Sequence, residues 1–478
     1  MSQPEIPLIL QAIIRGPDVA TQQKNVIFDA SLSVNPFADE ALKYFWDFGD
    51  GVTAQGEEVV HLYKNAGTYA VHLRVRDKEG NEQVSTKEIF VYREFLLLVT
   101  DDGAQEERVK NLVAFAKERG IFIQVIAHFE PVSDFVVEEI LIKKMSEALD
   151  DFTKADRIVF WTRSSLGLTL LSQFKPSFLE AGIDLTSHDI VFVSDGFLPL
   201  LVNIALGPYR ALRPHSIILT RSEGLWTFVD SPTLDIFLSN LAQRAIPYRI
   251  VAEHISRVTF WNFPSHILNF MIHRGIPSNS LQLLLMIPVI VTFVAFMKQI
   301  VGVTTFGVYT PSIVTLSFIA LDISYGLIIL IILLVIGTLI RLFLRRYRLL
   351  YIPRIAILLT FASITIVGIL FLGALFDISD LVSISIFPML IMSTLVEKFV
   401  SIQTGTGFKS ALVLISETIV VSILCYYLVE WDFLKILMLS HPELILVFLV
   451  INVILGRWTG LRIFEYVRFR EVIRHAEE

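Results

Sequence analysis

Cysteine is nearly absent from this chain. Cys425 is the only one in 478 residues, and it lies inside a long apolar run. No intrachain disulfide can form, and the rest of the chain has no thiol nucleophile. A basic excess is missing too. Lys and Arg number 40 against 47 Asp and Glu, a net charge of −7, which gives no face for nucleic acid. No GxGxxG follows a strand, and no GxxxxGK[ST], HExxH or nucleophile elbow occurs. His128 follows a strand without a visible catalytic partner and reads as structural. No catalytic residue, metal site or cofactor is therefore read from the sequence. The first thirty residues also have no basic segment followed by an apolar core, so no export leader is recognisable. Ile6–Ile14 is apolar but interrupted by Pro7 and Gln11, and reads as a strand.

The largest deficit is charge in the last two hundred residues. Before Ser280 there are 26 Lys and Arg against 35 Asp and Glu; after it there are 14 against 12. Mean hydropathy over the whole chain is +0.62. Seven apolar stretches follow, near 281–301, 305–321, 323–344, 355–376, 380–397, 410–429 and 442–456. About 20 apolar residues in a helix cross the ~30 Å hydrocarbon core. The second, fifth and seventh are short, and Pro311 and Pro388 each remove a helix donor, so these spans are expected to be kinked, tilted or re-entrant.

Charges between the spans are sorted by side. Lys298, Arg341, Arg345, Arg346, Arg348, Arg354, Lys398, Lys409 and five arginines of the tail fall on one side. Asp322, Asp377, Asp380, Glu430, Asp432 and Glu443 fall on the other, with Lys435 as its lone cation. The positive-inside rule places the tail in the cytoplasm and residues 1–280 outside an inner membrane. Export of 280 residues then calls for a leader or first membrane helix beyond this sequence, or for an unusual route.

In the first domain, 1–93, residues 5–93 alternate apolar and polar in short runs divided by turn residues, as in a β-sandwich. Trp46-Asp47-Phe48-Gly49-Asp50-Gly51, the strand from Asn25 to Ser31, and the run from His61 through Val71–Asp77 together resemble the PKD domain, an immunoglobulin-like sandwich, over about 5–93. That resemblance implies an extracytoplasmic spacer or adhesion module. Asp47, Asp50 and Asp77 suit either turn hydrogen bonding, the favoured reading, or calcium.

From 94 to 255 apolar strands alternate with helical stretches. Strands are predicted at 95–99, 121–127, 157–161, 190–193, 216–219 and 247–252, with helices near 104–119, 134–151, 165–175, 197–206 and 232–245. This pattern predicts a doubly wound, Rossmann-like parallel α/β domain with ligands at the carboxyl ends of its strands. Arg163, Ser164, Asp195, Arg221 and Ser222 stand at those ends. Two guanidinium groups on one rim would suit a carboxylate or phosphate, though the same residues also serve as ordinary caps and turns. An aromatic connector, 256–279, follows and is expected at the membrane interface.

In the seven-helix domain, 280–456, and the tail that follows it, Val301–Pro311, Pro353-Arg354, Glu397-Lys398 and the block Gly456-Arg457-Trp458-Thr459-Gly460-Leu461-Arg462 leading to Glu465 and Arg468-Phe469-Arg470 resemble a seven-helix membrane family, usually fused to an inactive transglutaminase-like domain, over about 280–474. The resemblance implies a partner of the ATP-grasp, peptide-ligase-like type. The basic tail, 457–478, with Arg457, Arg462, Glu465, Arg468 and Arg470, reads as either a lipid anchor or a docking surface for a protein. Glu417 lies inside the sixth span, where a carboxylate needs a partner or a cavity. Pairing with Arg341 or Arg354 is one expectation, and a proton or ion path the other. The whole reads as a multidomain, multi-pass membrane protein: a non-enzymatic sensor or scaffold with outer binding modules, or alternatively a transporter or membrane enzyme using Glu417.

Overall fold

The computed structural model describes residues 10–35, 42–101, 106–130, 134–251, 263–273, 278–344, 346–347, 350–375, 386–405, 407–460, 462, 463 and 465. The first domain is the expected sandwich. One sheet pairs β1 (Val19–Thr21), β7 (Glu82–Tyr92), β6 (Gly67–Arg76), β3 (Lys43–Asp47) and β4 (Thr53–Gln55), in that order. The facing pair is β2 (Asn25–Asp29) with β5 (Glu58–Leu62). Alternation along β6 sends Val71, Leu73 and Val75 inward, where they meet Trp46, Phe48, Phe28 and Tyr63. The three aspartates shape turns. Asp47 accepts from the Gly49 amide (3.0 Å), Asp50 from the Val52 amide (3.2 Å) and His61 Nε2 (2.8 Å), and Asp77 from the Asn81 amide and side chain (both 2.8 Å).

The second domain is a six-stranded sheet in the order β13 (Tyr248–Val251), β12 (Ser216–Thr220), β11 (Asp189–Val193), β10 (Arg157–Trp161), β8 (Glu94–Thr100), β9 (Ile121–Ala127). Five strands are parallel, and β13 runs antiparallel to β12, which corrects the all-parallel expectation. The reason lies in the connection. Two helices, α7 (Ser222–Asp230) and α8 (Leu234–Gln243), follow β12 instead of one. The second carries the chain back to the carboxyl end, so Thr220 pairs with Tyr248. One face of the sheet is covered by α1 (Glu106–Glu118), α7 and α8. The other carries α2 (Asp134–Glu147), α3 (Leu149–Lys154), α4 (Leu166–Gln173), α5 (Lys175–Glu180) and α6 (Leu198–Leu212). α5 and α7 were not expected from the sequence.

After α9 (Phe263–His273) the chain enters a helical bundle. Its elements are α10 (Ser278–Phe296), a π-helical turn (Met297–Val301), α11 (Tyr309–Leu321), α12 (Ile323–Leu344), α13 (Tyr351–Leu375), α14 (Ile386–Gly405), α15 (Phe408–Glu430), α16 (Asp432–Ser440) and α17 (Leu444–Gly456). Seven spans were expected. Among the described residues four segments are long and apolar enough to cross a bilayer: Ser280–Val301, Ile323–Leu344, Ile352–Leu372 and Phe408–Glu430. A fifth is possible only if α16 and α17, bent by 108° at Pro442, count as one broken span. The expected second span shrinks to the 13 residues of α11, because 302–308 is not helical. The first part of the expected fifth span, 380–385, lies outside the described residues, as do much of the connector and the tail beyond Glu465.

The sheet and the bundle share one hydrophobic core. Leu168, Leu171, Leu201 and Ile204 of α4 and α6 are continuous with Met286 and Ile290 of α10 and with Ile436 and Leu439 of α16. The α/β domain is therefore seated on the membrane helices. It is not held by a tether alone.

Candidate functional site

The strand order sets the site. Read from β9, the sheet runs second, first, third, fourth, fifth strand of the domain, so the topological switch falls between β8 and β10. Open α/β sheets present their ligand crevice there, at the carboxyl ends. Asp101 and Arg163 stand just past those two ends, and the Arg163 amide donates to Asp101 Oδ1 at 3.0 Å. Asp101 is only 3% exposed. The loop is fixed around them. The Gly167 amide donates to Thr162 Oγ1 (2.9 Å), Ser164 takes a left-handed φ of 51°, and Ser194 Oγ donates to the Ser164 carbonyl (2.7 Å).

A cleft of about 140 Å³ opens at this switch point, and its far wall belongs to the bundle. Asp101, Arg163, Ser164 and Ser165 face Gln282 of α10, Glu430 at the end of α15, and Asp432 and Lys435 of α16. Lys435 is buried and lies 2.7 Å from Glu430. A buried ammonium needs such a carboxylate, since an unpaired charge in this position would bear its full desolvation cost. Asp101, Arg163, Glu430 and Lys435 are all engaged with partners. Close approach is permitted by Gly196, where an added Cβ would come within 2.7 Å of Ile436 Cδ1. Beside it Phe197 meets Phe433 edge-on, with centroids 6.4 Å apart.

Of the residues singled out from sequence, Arg163 and Ser164 line this cleft. Arg221 does not: its Nη1 turns to the Ser194 carbonyl at 3.4 Å. Asp195 is exposed on the intervening loop, and Ser222 is buried as the first residue of α7. Sequence reasoning passed over Asp101, Glu430 and Lys435 as site residues. The signal for Lys435 was its isolation as the one cation in the acidic set of connections.

Glu417 sits half-buried on α15 and accepts from both the Thr304 amide (2.6 Å) and the Thr304 hydroxyl (2.5 Å). The adjacent Thr418 hydroxyl accepts from the Phe306 amide (3.3 Å). Two backbone donors of the non-helical stretch Gly302–Val308 are thus met by side chains of α15, and the Gly302 and Val303 amides by the Met297 carbonyl, as is required wherever irregular backbone enters a bundle in lipid. The pairing expected of Glu417 with Arg341 or Arg354 is not the one seen. Arg341 Nη2 donates to the Gln403 carbonyl (2.6 Å), and both arginines line a small cleft with Glu397. Lys398 donates to Thr310 Oγ1 (2.7 Å).

At the bundle end away from the α/β domain, Arg462 lies against the same loop. A Cβ on Gly302 would stand 3.0 Å from Arg462 Cβ. The Arg462 amide donates to Glu465 Oε2 (3.2 Å), and Gln299 donates to the Trp458 carbonyl (3.2 Å). Arg457 is exposed; Arg468 and Arg470 lie outside the described residues.

Comparison with known proteins agrees with this architecture. Residues 244–473 match the family described as seven transmembrane helices usually fused to an inactive transglutaminase, and residues 11–91 match the PKD domain. The chain is thus a multi-pass membrane protein that carries a PKD domain ahead of a membrane domain of that family. Among curated relatives, collagenase ColA of Bacillus cereus is 33% identical over 70 residues, 15% of this chain and 7% of the collagenase. Collagenase ColQ1 of Bacillus cereus strain Q1 is 42% identical over 50 residues, 10% of this chain and 5% of that protein. The chain therefore spans less than a tenth of either collagenase. The PKD1 domain of the Vibrio cholerae metalloprotease PrtV is 26% identical, covering 18% of this chain and 98% of that one with a TM-score of 0.15.

Proposed function

We propose that this protein is a non-enzymatic sensor or scaffold of the cell envelope. In this reading the PKD and α/β domains lie outside an inner membrane and the arginine-rich tail lies in the cytoplasm. The observation that carries the reading is the placement of the sheet's ligand edge. The switch-point cleft is walled by Glu430, Asp432 and Lys435 of the bundle, so a ligand that enters it touches both domains at once and biases their contact through its own. The opposite end offers Arg457, Arg462 and Glu465 to a partner. A peptide-ligase-like protein of the ATP-grasp type is the proposed partner there, and lipid is the alternative occupant.

A pair of cysteines tests the coupling. In a Cys425→Ser background, Gly196→Cys with Ile436→Cys should form a disulfide in membranes and hold the α/β domain on α16. If the reading is right, that lock should also change binding of the purified ATP-grasp protein to the tail. Failure of both the disulfide and a longer bis-maleimide to bridge the pair would remove the docking. Formation with no change in partner binding would leave the docking and remove the coupling.

A second reading, transport through the bundle, draws support from the broken helix at Gly302–Val308 and the carboxylate of Glu417 beside it. Flux across proteoliposomes that is lost in Glu417→Gln, with folding intact, would favour it.

A further inference from the structure

The charge balance at the switch-point cleft differs from what a pair of strand-end arginines would make. Arg221 is turned to the Ser194 carbonyl, and the bundle brings Glu430 and Asp432 to the wall instead. Three carboxylates, of Asp101, Glu430 and Asp432, now stand with two cations, Arg163 and Lys435. Both cations are engaged, as are Asp101 and Glu430. Asp432 is not. Exposed at the start of α16, its carboxylate has no hydrogen bond or ion pair among the described residues. The unspent charge of the cleft is therefore negative.

Neutral groups are also left open. Ser165 lines the cleft and is only 6% exposed, yet its hydroxyl makes no hydrogen bond among the described residues. A buried hydroxyl in that state is left to whatever occupies the cleft. Gln282 of α10, on the facing wall, is half-buried and its amide is likewise unengaged among the described residues.

The surroundings narrow the occupant. α4 and α16 both begin at the cleft, and free amides at a helix N-terminus would attract an anion. Those of α4 are spent: Leu166 N–H donates to the Arg163 carbonyl (3.3 Å), Gly167 N–H to Thr162 Oγ1 (2.9 Å) and Leu168 N–H to the Ser165 carbonyl (3.1 Å). Asp432, in the first turn of α16, offsets the positive pole of that helix. A metal ion fits no better, because no three acidic, His or Cys side chains among the described residues converge to hold one. An organic cation remains. No Phe, Tyr or Trp lines the cleft, so a quaternary ammonium would find no ring face. A primary ammonium has three N–H donors, and Asp432, Ser165 and Gln282 offer acceptors from three different helix ends or faces. Leu166 supplies apolar wall for methylenes. The volume of about 140 Å³ equals that of about five waters, which suits a short alkyl chain.

We propose that the switch-point cleft binds the primary ammonium end of a small soluble alkylamine or diamine, with Asp432 as its counter-charge and Ser165 and Gln282 as acceptors. The proposal names a ligand for the sensor reading above and rests on the docking of α16 against the sheet.

The test is isothermal titration calorimetry on the full chain in nanodiscs, with n-butylamine and putrescine as probes and phosphate, succinate and choline as comparisons. Both amines should bind more tightly than any of the three comparisons. Asp432→Asn should weaken amine binding about tenfold, as expected for loss of a charge-assisted hydrogen bond, and Ser165→Ala should weaken it less. Absence of amine binding, tighter binding of phosphate or succinate, or equal amine affinity in Asp432→Asn would each overturn the proposal. Bridging of the cysteine pair at 196 and 436 reports the docking separately. Amine binding that fails in a protein whose pair still bridges counts against this site alone. Amine binding that leaves the tail's partner unaffected would keep the site and remove the sensor reading. Asp432 is exposed, so Asp432→Asn should fold and bridge normally. If it does not, Gln282→Leu on the facing wall decides, and unchanged amine affinity there would also overturn the proposal.

Discussion

The Arg163 amide donates to the Asp101 carboxylate at 3.0 Å, across the ends of two parallel strands that are adjacent in the sheet but 62 residues apart in the chain. That bond marks the switch point of the sheet, and the bundle covers it. Most of the behaviour expected of this protein follows from the contact between the carboxyl edge of that sheet and a membrane helix.

Space at Gly196 is the first test of the docking. A Cβ there would stand 2.7 Å from Ile436 Cδ1. Gly196→Val should lower stability by about 1–3 kcal/mol, the usual cost of overpacking, and Ile436→Ala in the same protein should return part of it. Thermal unfolding of the purified protein in detergent reads both. Additive losses would show that the two sites do not touch.

Loss of the carboxylate at Glu417 should be felt in the loop it holds. Glu417→Leu leaves the Thr304 amide and hydroxyl without their acceptor, at a cost of about 1–3 kcal/mol or more. Glu417→Gln keeps a carbonyl acceptor and should lose less. Hydrogen exchange at the Thr304 amide should rise in the order wild type, Gln, Leu. Equal exchange in all three would detach Glu417 from the loop.

His215 gives a pH dependence of known sign. The hydrogen bond and charge of Asp189, 2.8 Å from its Nδ1, raise its pKa above the ordinary 6.5. A raised folded-state value means the pair stabilises the fold fully below 6.5, and that contribution fades as pH rises through the folded-state pKa. Asp189→Asn should bring the His215 titration, followed by NMR, back toward its ordinary value and flatten the dependence. A titration unmoved by Asp189→Asn would refute the pairing.

Orientation is open to direct labelling. Cys425 is buried, so an added cysteine has little background. Glu79→Cys, in the turn between β6 and β7, should react with an impermeant maleimide in intact cells whose outer membrane, if present, has been removed. Reaction only after lysis would reverse the proposed topology.

Elements with strong local pattern were legible in the sequence. The apolar runs at 121–127 and 157–161 are strands over those same residues, and the Trp46–Gly51 block forms a core strand and turn as its residue types dictate. α7 was not legible. Its sequence, SEGLWTFVD, opens with Ser and Gly directly after a strand, and local propensity there favours a turn. The helix forms because Leu225, Phe228 and Val229 are buried against the sheet, a gain only tertiary packing supplies.

By itself the sequence determined that the last two hundred residues enter a membrane, that a sandwich precedes a sheet with crossover helices, and which strand ends carry polar groups. Hydrophobic period and length decide these locally. Only the tertiary structure decided how many apolar stretches are long helices, because a break such as Gly302–Val308 depends on Glu417 and Thr418 more than a hundred residues away to satisfy its backbone. It also decided that α16 covers the carboxyl edge of the sheet. That contact joins Gly196 to Ile436 and sets Arg163 and Lys435 in the walls of one cleft, and no local rule of periodicity or charge can place residues so distant in sequence against each other.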